Sequence, residues 1–119
     1  IDDLQRDGST LWDGVHNFQA IGFIKPWEVG DRIYVYHSQK EKQIVGLAEV
    51  ISEPRKNEDD PRTSWVADIA YVQKYSQPLS LSDIKADSIN SDFLLVRNPR
   101  LSVMPVPDEV QSFIASRVA

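Results

Sequence analysis

The chain has 119 residues, 41% of them hydrophobic and 26% charged, which suits one soluble globular domain of common size. It has no cysteine, so disulfides, thiolate zinc sites and cysteine nucleophiles are all excluded, and a reducing compartment fits: the cytoplasm or, in a eukaryote, the nucleus. A net charge of −5 excludes a general coat for DNA, because such coats bind through cations that displace counterions; nucleic-acid binding here would need a local basic rim and a specific pocket.

No apolar run is long enough for a membrane span, and no signal peptide is visible. "IDDLQRDG" predicts a short helix with Asp2 and Asp3 at its favourable end and Gly8 as its stop. "STLWDG" reads as a turn, and "VHNFQAIGFI" as a second short helix with Val15 and Phe18 on one face. "KPWEVGD" punctuates. "RIYVYHS" alternates as a strand, with Ile33, Val35 and His37 on one side and Tyr34, Tyr36 and Ser38 on the other. After the polar turn "QKEK", the nearly continuous apolar run "QIVGLAEVIS" reads as a central strand, in which Gly46 marks a bulge, a bend or a close approach.

"EPRKNEDDPRT" predicts an exposed loop, and "SWVADIAYVQ" a third strand. "QPLSLSDIKAD" predicts a bend and a short helix capped by Ser80 or Ser82. "SINSDFLLVRNP" reads as a turn with a short extended piece, and "RLSVMPV" as a strand that Pro105 pushes toward an edge. "PDEVQSFIASRV" closes the chain as an amphipathic helix opened by Pro107 and Asp108, with Val110, Phe113 and Ile114 as its apolar face. The order of elements predicts α+β with a small curled sheet or barrel. The absence of βαβ alternation and of a Gly-rich phosphate loop argues against a doubly wound nucleotide fold.

Catalytic chemistry finds little support. His37 and Ser38 are neighbours on a strand and point to opposite faces, so they form no nucleophile–base pair; Ser38 with His16 has no local support. Two isolated histidines without cysteine provide no zinc site, and "NEDD" (57–60) lacks calcium-loop spacing. No metal and no cofactor are expected. Of the three tryptophans, Trp27 fits core packing, whereas Trp12 and Trp65 each sit where a loop meets a regular element, a place where scaffolds display binding groups.

Taken in order, "WDGVHNFQA", "VGDRIYVYHS", "IVGLAEVISE", "WVADIAYV", "PLSLSDIKAD" and "LLVRNPRLSVMPV" resemble the EVE domain family of the PUA-like superfamily over nearly the whole chain. The resemblance implies a PUA-like mixed curled β-barrel of about five strands with short helices at the rim, and a single domain over residues 1–119. Family members usually begin with a strand of the type Trp-Leu-x-Lys-Ser-Glu-Pro ahead of the first helix; this sequence lacks it, so the barrel is expected to be short of its first strand. EVE domains are similar to YTH and ASCH domains, and as a class are taken to read modified bases, with 5-modified cytosine in DNA favoured.

Reading a base requires unstacking it, at a few kcal/mol, offset by stacking on aromatics at roughly 1–3 kcal/mol per base. On that reading Trp12 offers a π face, Asn17 a two-sided amide in the same space, and Gly14 room for close approach. Tyr36, Ser38 and Trp65 wall the pocket, and Val15, His37, Arg100 and Ser102 complete the candidate set. The family usually follows Gln-Ala with Arg-Asn, where this chain has Ile21 and Gly22, so a plausible phosphate contact is absent. With Arg97, Arg100, Lys40 and Lys42 as the basic groups, few phosphate contacts and a shallow salt dependence are expected. The leading expectation is a non-enzymatic reader whose partner is nucleic acid carrying a modified base, DNA ahead of RNA. An RNA-binding PUA- or ASCH-type module is the alternative; an enzyme on a small nucleobase-like molecule and a pure interaction domain rank below both.

Overall fold

The computed structural model describes residues 2–15, 17–37, 42–59, 64–98, 101 and 103–118. Helix α1 (Asp2–Asp7) has Asp2 and Asp3 in its first turn and Arg6 in its last, matching the helix dipole at both ends. Gly8 then adopts φ +82°, a conformation that favours glycine, and its N–H closes the helix on the Leu4 carbonyl at 2.8 Å.

The chain turns directly into strand β1 (Ser9–Val15). The expected turn at "STLWDG" is therefore wrong: Trp12 lies within a strand, antiparallel to β5 (Trp65–Ser80), opposite Ala67. The Asp-Gly pair marks a shift of register between Trp12 and Val15, the other backbone irregularity that suits glycine, and Val15 pairs with Trp65 instead of starting a helix. Pairing with β5 overrides the local turn preference. Leu11 stays exposed on the outer face while Trp12 packs inward. Helix α2 (Phe18–Ile24) begins only after Asn17, whose Oδ1 accepts from the N–H groups of Gln19 (2.9 Å) and Ala20 (3.2 Å).

After a turn in which Gly30 takes φ +99°, β2 (Arg32–His37) and β3 (Gln43–Val50) form the expected hairpin. The bulge signalled by Gly46 is present: register shifts fall beside it, between Val35 and Tyr36 on β2 and between Ile44 and Gly46 against β5. The two-residue strand β4 (Arg55–Lys56) lies within the predicted loop and pairs with Val66 and Trp65. Strand β5 outruns its prediction; its 16 residues pair with β1, β3 and β4. Helix α3 (Leu81–Ala86) is capped by Ser80, whose Oγ accepts from the Asp83 N–H at 3.1 Å.

Two further expectations fail. "SINSDFLLVRNP" is helical, not extended: a 3-10 turn (Ser88–Asn90) precedes α4 (Leu94–Arg97), because Phe93 and Leu95 bury against α3 and α5 (Asp108–Arg117). "RLSVMPV" carries no strand among its described residues. Pro105 and Pro107 have no N–H to donate, and Leu101 and Val103 are buried against α2 rather than laddered to the sheet. The result is α+β: a five-stranded antiparallel sheet of order β1-β5-β3-β2, with β4 beside β5, and short helices around it. Among the described residues β1 and β2 are not paired, so the α+β class, the five strands and the short helices are as expected, but the sheet is open and antiparallel where a mixed curled barrel was expected. Helix α5 is as expected, with Val110 and Ile114 buried and Phe113 half-buried.

Candidate functional site

The unpaired edges β1 and β2 flank a cavity of about 740 Å³. Thr10 and Trp12 form one wall and Ile33 to Tyr36 the other, with Ile44 and Ile69 between them on the sheet. Leu101, Val103, Met104 and Trp27 also line it. Five aromatic residues (Trp12, Trp27, Tyr34, Tyr36 and Phe93) thus line one largely apolar space, Phe93 buried and the other four half-buried.

The indole Nε1 of Trp12 is buried and has no hydrogen-bond partner among the described residues, which costs about 1–3 kcal/mol for such a donor. Burial pushes the Tyr36 phenol above its usual pKa, which keeps it a neutral donor across physiological pH. The rim has the opposite character: Asp3, Asp7 and Asp31 stand there against Arg32, and Arg32 is itself held at 3.5 Å by Glu49. An acidic mouth repels phosphate and tolerates a neutral ring.

Of the residues singled out in the sequence, the structure brings Trp12 and Tyr36 together in this cavity. Gly14 and Val15 lie at the irregular end of β1. Asn17 is at the start of α2 with its acceptor engaged by the helix, and it does not line the cavity. His37 ends β2 opposite Gln43, half-buried and outside the lining. Trp65 packs on the α2 side of the sheet, with the Lys25 ammonium 4.9 Å from its ring centroid, and is likewise outside the lining. Ser38, Arg100, Ser102, His16 and Lys40 lie outside the described residues. Arg97, expected to meet phosphate, is turned onto Asp92 (2.8 Å) and the Ser91 carbonyl (3.0 Å). Sequence reasoning missed Tyr34, although the i, i+2 spacing from Tyr36 was visible, and it gave Trp27 to the core alone.

Among the described residues no three His, Asp or Glu side chains converge as a metal site, and no helix is long and apolar enough to cross a membrane. Fold and site define a small α+β domain whose one antiparallel sheet carries an aromatic cavity between its free edges. The chain belongs to the EVE domain family, whose sequence pattern matches residues 1–117. It is 32% identical to thymocyte nuclear protein 1 of Rattus norvegicus over 144 residues, covering 98% of this chain and 63% of the rat protein; it therefore spans less than two thirds of that relative. A crystal structure from Pseudomonas putida superposes with a TM-score of 0.87 at 30% identity, covering 97% of this chain and 89% of that one. Human THYN1 protein, crystallised in complex with 5-methylcytosine containing DNA, superposes with a TM-score of 0.85 at 26% identity, covering 97% of this chain and 82% of the human one.

Proposed function

We propose that this domain is a non-enzymatic reader of a modified nucleobase, 5-modified cytosine in DNA, taken out of the base stack into the cavity beside Trp12. The observation that carries the reading is the human relative's complex with 5-methylcytosine containing DNA, on a fold this chain matches over nearly its whole length. The cavity supports it chemically. Aromatic walls offset unstacking, and apolar lining suits a methyl group. The acidic rim excludes phosphate from the same space, so only the base enters.

A cytoplasmic or, in a eukaryote, nuclear setting fits this ligand.

The test is a binding panel of DNA and RNA oligonucleotides, single- and double-stranded, carrying cytosine, 5-methylcytosine, 5-hydroxymethylcytosine or N6-methyladenine. The expected result is at least tenfold tighter binding to DNA with 5-modified cytosine than to its unmodified twin. Equal affinities would overturn the reading, and a preference for unmodified structured RNA would favour the RNA-binding alternative.

A further inference from the structure

Five of the ten described lysines and arginines of this acidic chain are committed to acids. Arg6 is held by Asp3 and Asp7, Arg32 by Glu49, Arg55 by Asp68, Lys74 by Asp2 and Arg97 by Asp92. Lys25, Lys42, Lys56, Lys85 and Arg117 have no acidic partner among the described residues, and two of them, Lys25 and Lys56, are placed beside Trp65. The Lys25 ammonium, at the end of α2, stands 4.9 Å from the Trp65 ring centroid. Lys56 of β4 is directly opposite Trp65 in an antiparallel pair, so the two side chains leave the same face about 5 Å apart at their Cβ atoms. Helix α2 has no acid in its first turn, and Asp68 of β5 is occupied by Arg55 at 3.5 Å.

We infer that Lys25, Trp65 and Lys56 form a phosphate-contacting strip for the sugar–phosphate backbone beside the recognised base. This rests on the reading that the base sits against Trp12. Trp12 is opposite Ala67, and Ala67 lies two residues beyond Trp65 on β5, so Trp12 and Trp65 share a face about 7 Å apart along the strand. A nucleic-acid strand advances about 3.4 Å per nucleotide in duplex form, so that spacing is about two nucleotide steps. A base at Trp12 thus brings its near phosphates to Lys25 and Lys56, while Trp65 gives a sugar or neighbouring base an apolar seat. The strip also supplies the cations missing after Gln19-Ala20, where Ile21 and Gly22 bring none.

The test compares the intact chain with Lys25→Gln, Lys56→Gln and the double variant. Each is titrated across a salt series with a 5-methylcytosine DNA duplex and its unmodified twin, and circular dichroism confirms folding. The double variant is expected to flatten the log affinity against log salt slope by about 1.8, about 0.9 per lost contact. It should weaken both oligonucleotides alike, leaving their ratio unchanged, and Lys25→Arg with Lys56→Arg should restore the slope. An unchanged slope and affinity in the double variant would overturn the strip while leaving the reader function standing. If the wild type binds both duplexes equally and the slope still flattens, the reader function fails and the strip stands as a backbone contact. A loss confined to the modified duplex would place these lysines in base recognition and refute the strip. Absence of binding to either duplex at low salt would refute both.

Discussion

The cavity between β1 and β2 and the strip around Trp65 share one face of the sheet, yet they are opposites in charge. The cavity is apolar within and acidic at its mouth, whereas the strip is a half-buried indole flanked by two lysines without acidic partners among the described residues. A single basic pocket would attract any nucleic acid and hold it by its phosphates. On the proposed reading, separating the two tasks along β5 would let a domain of net charge −5 still bind: the strip would set how strongly a backbone is held, and the cavity which base is accepted. Variants in one region should therefore move affinity, and variants in the other should move selectivity.

The largest expected effect is at Trp12, which packs against two core clusters at once. Trp12→Ala should cost about 3 kcal/mol or more in urea denaturation, by analogy with other large-to-small core changes. Trp12→Phe sharpens the comparison, since it keeps an aromatic ring but deletes the unpartnered Nε1 donor. It should cost no more than about 1.5 kcal/mol while reducing the preference for modified DNA and leaving the salt slope unchanged. Retained preference in Trp12→Phe would show that the indole N–H is not used.

Asn17 comes next, because it lies between the two regions and belongs to neither. Its Oδ1 is engaged by two α2 amides, so Asn17→Ala should lower stability by about 1 kcal/mol, and Asn17→Asp should preserve the cap. Preference for the modified base should survive both. Its selective loss in Asn17→Ala would mean that the Nδ2 group reaches the base, and the cavity as drawn would have to extend toward α2.

The smallest effect concerns α1, which brings Asp3 and Asp7 to the rim. It is tied to β5 by an exposed ion pair, Lys74 Nζ to Asp2 Oδ1 at 2.6 Å. The hydrogen bond and charge of Lys74 hold the Asp2 carboxyl below its usual 3.8, and the same contact holds Lys74 above 10.5. A depressed carboxylate stabilises the fold above its unfolded pKa and loses that contribution as pH falls through the lower, folded value; the raised ammonium contributes below its unfolded pKa and loses it as pH rises through the folded one. The pair is thus intact across neutral pH. Amide hydrogen exchange in α1 should rise on acidification below about pH 4. Lys74→Gln should show the faster exchange already at neutral pH, and a flat response in wild type would show that the pair does not hold α1.

What the sequence revealed of this fold follows the range of the interactions that decide it. Ser80 as a cap, Gly46 beside a bulge, the β2–β3 hairpin and the apolar face of α5 are set by residues within a few positions of each other, and each was legible. Trp12 in mid-strand was not, because its extended backbone is imposed by Ala67, far along the chain. The 88–97 segment was misread because a four-residue apolar run does not distinguish a buried strand from a buried helical turn. The site divides in the same way. Tyr34 and Tyr36 are paired by strand alternation alone, whereas Lys25 and Lys56 meet at Trp65 only after α2 and β4 have docked on β5.

Strand β5 has a consequence for how the molecule comes into being. Its ladder with β3 joins neighbours in the chain, but its ladder with β1 must bring Ser9 to Ala70 across most of the sequence. Closing that long loop is entropically the costlier step, so the β2–β3–β5 meander is expected to form early and β1 to dock late. Until it does, one side of β5 presents free backbone groups to other chains, the usual invitation to aggregation, and Trp12 has no wall to build. A kinetically trapped chain would show nearly all the native sheet by far-ultraviolet spectroscopy and still lack one wall of the proposed pocket, so that binding would be the last property to be gained.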